Sequence, residues 1–204
     1  MQAAPELLQF AEVCLGSQYA EFKQALNDFP NMNASEFGKK YLIFERLCGD
    51  LEDIDEDEDE DFTPVLFILF AQDKKLMFSV DWSGEEETGD VAEAVKRILN
   101  VRSGTAFEWD TEKFMASLDW NSIERGDFIP ILFKALDAEL RKINHCLTIF
   151  CTGDDSYHFT VFDKADFDKV HRLAWSSIYG VYGVDTLSEY NPMTDYPEDE
   201  DDEE

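Results

Sequence analysis

The segment from His145 to Asp163, HCLTIFCTGDDSYHFTVFD, carries the clearest fold signal in the chain. Two runs rich in β-branched and aromatic residues, HCLTIFCT and YHFTVF, flank the polar residues Gly153, Asp154 and Asp155. Runs of this kind, separated by a short turn that contains glycine, are typical of a β-hairpin. The segment therefore predicts two antiparallel strands.

Helical patterns flank this hairpin on both sides. Asp127 is a candidate N-cap for the preceding helix, and Asp163 can begin the following one, in which Phe167, Val170 and Ala174 are apolar. The buried stripe of the first helix is predicted to contain Ile129, Leu132, Phe133, Leu136, Leu140 and Ile143. Together these elements predict a helix-hairpin-helix half over residues 126–176.

The run PVLFILFA, residues 64–71, suggests a second hairpin. It is short and uniformly apolar, which favours a strand buried on both faces. Polar residues 72–75 and an alternating pattern over residues 76–82 then predict its partner strand. Asp90 and Glu93 form a predicted capping box at the start of the next helix. Its apolar stripe is predicted to contain Val91, Val95, Ile98 and Leu99.

The two hairpin patterns match at a constant spacing of 81 residues. Leu66 corresponds to Leu147, and Phe78 corresponds to Phe159. This match indicates either an internal duplication or two independent hairpins with the same alternation.

The amino-terminal part of the chain predicts helices. Apolar residues from Pro5 to Phe29 recur at three- and four-residue steps, which indicates one long amphipathic helix or a pair broken near Gly16. Ser35 is a candidate N-cap for a further helix that carries Phe37, Tyr41, Phe44 and Cys48 and ends at Gly49.

These elements predict an α+β fold. Two helix-hairpin-helix halves, over residues 34–100 and 126–176, share a four-stranded, mainly antiparallel sheet with an N-terminal helical layer. A chain of 204 residues with 44% hydrophobic content can bury one sizeable core, so residues 1–197 are expected to form a single domain. Within it, residues 50–61 are expected to form an exposed acidic loop, and residues 198–204 a disordered tail.

The net charge is the most unusual property of the chain. It has 46 acidic and 17 basic residues, which gives a formal net charge of −29. The runs at 50–61 and 198–204 hold seventeen carboxylates, so the rest of the chain keeps a net charge of −12. Such a field repels nucleic acid and anionic membranes and attracts basic proteins. The candidate partner-binding residues are Asp55, Glu56, Asp57, Glu58, Asp59 and Glu60.

The sequence predicts no metal site and no cofactor. The alternating carboxylates at 53–59 lack the glycine of an EF-hand loop. His145, His158 and His171 could gather around a metal with Cys146 or Cys151, but no ligand pair has a zinc-like spacing. The four cysteines contain no CxxC pair and are interpreted as reduced core thiols, which indicates the cytoplasm.

Motifs for catalysis are missing as well. The sequence contains no GxSxG, GxxxxGK[ST], GxGxxG or HExxH, so no catalytic residue is predicted. Three carboxylates next to tryptophans, in Asp81-Trp82, Trp109-Asp110 and Asp119-Trp120, could serve acid catalysis if their pKa values were raised, although packing is the commoner role of such tryptophans.

Two remaining features concern the ends of the chain. The amino terminus has no basic stretch before an apolar run, and no segment is long enough to span a bilayer, so neither secretion nor membrane insertion is expected. Residues 179–196 hold four tyrosines and are interpreted as a strap packed over the core or as an aromatic binding strip.

Two passages resemble an uncharacterised family of bacterial cytoplasmic proteins. They include DWSGEEETGDVAEAVKRIL at 81–99 and CTGDDSYHFTVFDKADFDKVHRLA at 151–174. The resemblance covers mainly Val65 to Leu99 and Phe128 to Ala174. Trp82 and the turn formed by Gly153, Asp154 and Tyr157 carry the resemblance. It implies no established reaction, and the acidic run and tail are departures from the family pattern.

The hypothesis that fits these observations is an acidic cytoplasmic protein that binds a basic protein. It could act as an immunity or inhibitor protein against a basic toxin, or as a DNA mimic. The alternatives are an enzyme with a carboxylate site outside the known motifs, and a housekeeping domain with a solubilising surface.

Overall fold

A computed structural model describes residues 3–45, 62–84, 89–152, 155–175 and 180–189. The chain divides into two compact units, Met1–Leu76 and Met77–Glu204. The first is helical in its described part, and the second combines helices with a four-stranded sheet. The predicted α+β class and the antiparallel four-stranded sheet are therefore confirmed.

The amino-terminal unit begins with a pair of helices broken at Gly16, as one of the two alternatives predicted. Gly16 has φ +53° and ends the first helix, and a 3₁₀ turn over Gly16–Gln18 leads into the second. The helices of this unit are α1 (Pro5–Leu15), α2 (Tyr19–Asp28), α3 (Ala34–Lys40) and α4 (Thr63–Asp73).

The third helix is shorter than predicted and has a different cap. The side chain of Asn33, not Ser35, accepts a hydrogen bond of 2.9 Å from the backbone N–H of Glu36. An Asn side chain in this position satisfies one of the unpaired amides of the first turn. The helix ends at Lys40, and a 3₁₀ turn over Leu42–Phe44 follows. Residues 46–49 of the predicted helix lie outside the described residues.

The strand predicted over residues 64–71 is wrong, because this run lies within α4. Phe67 packs against Phe10 and Phe22, with ring centroids 5.4 and 5.8 Å apart, so the helix is buried among α1 and α2. Within residues 64–71, only Val65 and Leu69, four residues apart, are less buried, and both are apolar. A helix that is apolar on almost every side shows no periodicity to distinguish it from a buried strand.

The sheet of the second unit has the order β1-β3-β2-β4, with every neighbouring pair antiparallel. The predicted hairpin of residues 145–163 is confirmed, with Leu147 opposite Val161. Its turn residues 153–154 lie outside the described part. The strands are β1 (Phe78–Asp81), β2 (His145–Cys151), β3 (Ser156–Asp163) and β4 (Gly180–Gly183).

The other two strands differ from the prediction in their partners. β1 was expected to pair with residues 64–71 and instead forms one edge of the sheet beside β3. β4 forms the other edge and comes from the tyrosine-rich segment, for which the sequence predicts a packed strap or an aromatic binding strip. Tyr182 of this strand packs against the core of the unit. The sheet is thus completed by two short strands far apart in sequence.

The repeated element order inferred from the 81-residue spacing is contradicted. Leu66 lies in a helix, whereas Leu147 lies in a strand. Phe78 and Phe159, which share the same spacing, are not equivalent residues of two repeats. They are direct antiparallel neighbours in one sheet, with ring centroids 5.7 Å apart.

Two long helices pack against one face of the sheet. These are α5 (Asp90–Ser103) and α7 (Phe128–Lys142), with the short helix α6 (Thr111–Ala116) between them in the chain. The predicted stripes of both helices are buried, except that Ile143 follows α7 and is 37% exposed. The core contains Val95 and Ile98 of α5, Phe133 and Leu136 of α7, and Leu147, Ile149, Phe159 and Val161 of the sheet.

The predicted helix starts are partly confirmed. Asp163 caps α8 (Lys164–Val170) by accepting a hydrogen bond of 2.8 Å from the Asp166 amide. Asp127 precedes α7, but its carboxylate accepts from the Glu124 amide at 2.9 Å and does not cap the helix. The capping box at Asp90 is wrong, because Gly89, with φ +102°, occupies the N-cap position.

A buried carboxylate joins α7 to the sheet. Asp137 is 3% exposed, and its Oδ1 accepts a hydrogen bond of 2.9 Å from the backbone N–H of Leu147 in β2. Its Oδ2 lies 2.5 Å from Nε of Arg141, whose Nη2 also lies 3.0 Å from the exposed Asp185. The Arg141 pKa is raised, mainly by the hydrogen bond to Asp137.

Candidate partner-binding surface

The candidate binding residues Asp55 to Glu60 lie outside the described residues. The carboxylates beside tryptophans are all described, and each accepts a hydrogen bond from a nearby backbone N–H. Asp81 accepts from the hydroxyl and the amide of Ser83, and these bonds hold the pKa of Asp81 below its usual range. A general acid needs the opposite shift.

The other two carboxylates have structural roles. Asp110 caps α6 by accepting from the Lys113 amide at 2.9 Å, and Asp119 accepts from the Asn121 amide at 3.2 Å in a turn. Both side chains are exposed. They therefore combine a local structural bond with a negative charge that faces solvent.

The histidines do not converge. His145 Nδ1 lies 2.8 Å from the Ile143 carbonyl, His158 Nδ1 lies 2.5 Å from Ser79 Oγ, and His171 Nδ1 lies 3.1 Å from the Phe167 carbonyl. Across the described ranges, no three His, Cys, Asp or Glu side chains lie close enough to hold a metal ion. Cys14, Cys146 and Cys151 are buried thiols, and burial raises the pKa of Cys146.

A row of aromatic side chains runs along the outer part of the second unit. Trp109 lies 5.3 Å from Phe114, Phe114 lies 6.5 Å from Phe128, and Phe128 lies 5.8 Å from Trp120, measured between ring centroids. Trp120 stacks on Phe128 at 24° and is 52% exposed. We call these four residues the aromatic row. It extends from the edge of the core to solvent.

Local structure explains how the aromatic row forms. Trp109 immediately precedes the cap of α6, Phe114 lies within α6, and Phe128 begins α7. Trp120 lies in a turn closed by a hydrogen bond of 3.0 Å from the Ser122 amide to the Asp119 carbonyl. The four aromatic residues span twenty positions of the chain. The short helix and this turn place them on one surface.

A groove of about 440 Å³ opens between α6 and α7 beside the aromatic row. Trp109 and Phe114 form its aromatic wall, and Ala135 and Ala138 of α7 line the other side. The charged side chains that line it are Glu108, Asp110, Lys113 and Glu139. The groove therefore has an apolar wall and three carboxylates, against the single positive charge of Lys113.

The indole N–H of Trp109 is buried, and it has no acceptor among the residues that the structure describes. A buried tryptophan whose role is packing usually finds a partner for this group. Trp109 is thus an incompletely satisfied residue at the wall of the groove.

Exposed carboxylates are frequent in the segment that supplies most of the aromatic row. Within residues 105–127 they outnumber the two basic residues, Lys113 and Arg125. The guanidinium of Arg125 lies over the Trp82 ring, 5.2 Å from its centroid. The exposed carboxylates of this segment are Glu108, Asp110, Glu112, Asp119, Glu124 and Asp127.

The sequence shows two members of this surface only as separate pairs, Trp109-Asp110 and Asp119-Trp120. In the structure, Phe114 and Phe128 connect these two tryptophans. One available signal was the presence of large aromatics in an acidic segment between two amphipathic helices. Most exposed linkers contain few such residues, because exposing them has no folding benefit.

A comparison with protein families identifies the chain. The model of a family described as a domain of unknown function, DUF6630, matches residues 7–183. The chain belongs to the DUF6630 family. The match covers both passages in which a resemblance to an uncharacterised family was noted, and it includes the groove and the aromatic row of this DUF6630 member.

Other comparisons add no relative. Neither the curated proteins nor the solved structures include a match to this DUF6630 chain. In the described part of the chain, none of the helices has both the length and the apolar character needed to cross a bilayer.

Proposed function

We propose that this DUF6630 protein is an acidic cytoplasmic binding protein whose partner is a basic protein. The observation that carries the proposal is the aromatic row, which ends in the exposed Trp120 and comes mostly from a segment rich in exposed carboxylates. Aromatic residues are enriched in interface centres, and a charged rim selects a partner of opposite sign.

The net charge of −29 supports a basic partner over nucleic acid. Nucleic-acid binding requires clustered Lys and Arg, and the two basic side chains near the aromatic row are outnumbered by carboxylates. Long-range attraction by such a field speeds encounter with a basic protein. Two biological roles fit this chemistry: an immunity or inhibitor protein that neutralises a basic toxin, and a DNA mimic that occupies a nucleic-acid-binding protein.

An enzyme is the second candidate, because the groove brings carboxylates together. Two of its three carboxylates already have partners: Asp110 caps α6, and Glu139 lies 2.6 Å from Nζ of Lys142. Both carboxylates are therefore already engaged in local structural contacts. This leaves Glu108 without the paired acid and base that hydrolysis by two carboxylates requires. Binding is therefore the better-supported role.

The salt dependence of binding tests the proposal. The immobilised full-length protein is incubated with an extract of its source cells at low salt, and retained proteins are identified and purified. We expect a basic protein whose affinity falls as salt rises, since the screening length is about 8 Å at physiological ionic strength. A variant in which Asp55, Glu56, Asp57, Glu58, Asp59 and Glu60 are changed to Asn or Gln shows whether the acidic run contributes. Retention of no basic protein, or binding that is insensitive to salt, would contradict the proposal.

A further inference from the structure

We propose that the groove between α6 and α7 receives an arginine side chain from a segment of the partner protein. This inference rests on the proposed function and specifies its contact. It concerns the charged groove lined by Glu108, Trp109, Asp110 and Phe114, and it names a chemical group that this groove fits.

The aromatic wall is suited to a guanidinium. A planar cation stacks on the face of an aromatic ring, and arginine does so more often than lysine. The protein already forms two such contacts within its own second unit: Arg125 lies 5.2 Å from the Trp82 centroid, and Arg102 lies 4.5 Å from the Phe162 centroid. Trp109 and Phe114 present the same kind of surface to an incoming side chain.

The charges of the groove favour a cation as its occupant. Glu108 and Asp110 are exposed next to Trp109, and neither forms an ion pair among the described residues. A carboxylate can accept two parallel N–H bonds from a guanidinium, which gives direction as well as charge. Lys113 limits the negative charge at one side, so the occupant is directed toward Glu108 and Asp110.

The size of the groove and the exposed Trp120 indicate a side chain that belongs to a longer segment. A volume of about 440 Å³ exceeds what one arginine needs and suits a side chain with part of its backbone. Trp120 lies at the far end of the aromatic row and offers an apolar contact beyond the groove. An extended basic segment can reach both.

Binding of short peptides to the full-length protein tests this assignment. The probes are acetylated hexapeptides that alternate glycine with arginine or glycine with lysine, and binding is followed by tryptophan fluorescence and calorimetry. The double variant E108Q/D110N removes two charges, and Asn at position 110 keeps a good N-cap. The matched control D166N/D168N removes two carboxylates from α8, which packs near Gly183 and not beside the groove. Circular dichroism and melting curves check that each variant folds.

We expect the arginine peptide to bind more tightly than the lysine peptide. E108Q/D110N should weaken arginine-peptide binding by about tenfold, and D166N/D168N by less than about twofold. Phe114→Leu, which keeps an apolar side chain but removes one of the two rings of the wall, should reduce the preference for arginine over lysine. Equal losses in the two double variants, equal affinity for the two peptides, or no binding to the wild type would overturn the assignment.

Binding of the retained basic protein, measured for the wild type and for E108Q/D110N, separates this assignment from the proposed function. If the wild type retains a basic protein and E108Q/D110N binds it unchanged, the groove assignment fails while the function stands. If the arginine peptide binds as expected but no basic protein is retained, the function fails and the groove remains a guanidinium site.

Discussion

Gly126 lies directly against the ring of Trp82. A Cβ atom added to Gly126 would lie 2.7 Å from Cζ3 of Trp82, and the residue has φ +94°, a conformation that other L residues rarely adopt. The neighbouring Arg125 places its guanidinium over the same ring. The segment that leads into α7 thus contacts the residue after β1 at a position where only glycine fits.

Replacing Gly126 with Ala should lower the free energy of unfolding by about 3 kcal/mol, because backbone strain and the clash with Trp82 act together. Gly104→Ala is the matched control. Gly104 also has a positive φ, of +65°, but no atom lies within 4 Å of its added Cβ, so only the strain, about 1 kcal/mol, is expected. Urea unfolding of both variants gives the comparison. Equal losses of unfolding free energy in the two variants would show that the Trp82 ring moves away from the added methyl group at no cost.

Asp137 should be far more important for stability than Asp185, although both carboxylates contact Arg141. Asp137→Ala leaves the buried Leu147 amide without its acceptor and breaks a part-buried pair with Arg141, so we expect a loss of about 3 kcal/mol. Asp185 is exposed, so Asp185→Ala should cost less than about 1 kcal/mol. Asp137→Asn keeps an acceptor and should fall between the two. Chemical unfolding of the three variants measures these values, and a small loss for Asp137→Ala would contradict the link between α7 and β2.

The contribution of Asp28 should depend on pH. Its carboxylate accepts hydrogen bonds from Lys40 at 2.5 Å and Tyr41 at 2.6 Å, and these bonds hold the pKa of Asp28 below its usual range. Because the pKa is lower in the folded state, the stabilisation is fully present above the unfolded value of about 3.9 and is lost as pH falls through the folded value.

Melting temperatures of the wild type and Asp28→Asn, measured from pH 7 downward, check this sign. The difference between the two proteins should be constant at neutral pH and shrink below about pH 4. Lys40→Met removes the principal donor, so the acid-dependent part of the Asp28→Asn effect should decrease in that background. A difference that grows in acid would contradict the assignment.

Deleting residues 51–60 together with everything after Pro197 should leave the fold intact. Both segments are dominated by carboxylates and offer little apolar surface to a core. Removing like charges reduces self-repulsion, so the melting temperature at low salt should stay the same or rise. Thermal melts of full-length and shortened protein at matched salt decide the point. A fall of several degrees would show that the acidic run has partners in the folded protein.

The sequence predicts individual residues of the partner-binding surface but not that these residues lie together. Trp109, Trp120 and their neighbouring carboxylates were visible as pairs, and the acidic charge indicated the sign of a partner. Their convergence depends on how α6 and the turn at Trp120 fold back toward α7, which no local pattern encodes. The groove likewise combines residues 108–117 with residues 135–139, and these meet only when helices pack.

The amino-acid sequence by itself determined the elements with strong local signals. The hairpin of residues 145–163 followed from alternation around a turn, and the stripes of α5 and α7 followed from helical periodicity. The tertiary structure decided the rest. Residues 64–71 are apolar on nearly every side, so only packing against Phe10 and Phe22 shows that they form a helix. The partners of β1 and β4 likewise depend on contacts between distant segments, because a short strand can pair with any free edge that the folded chain presents.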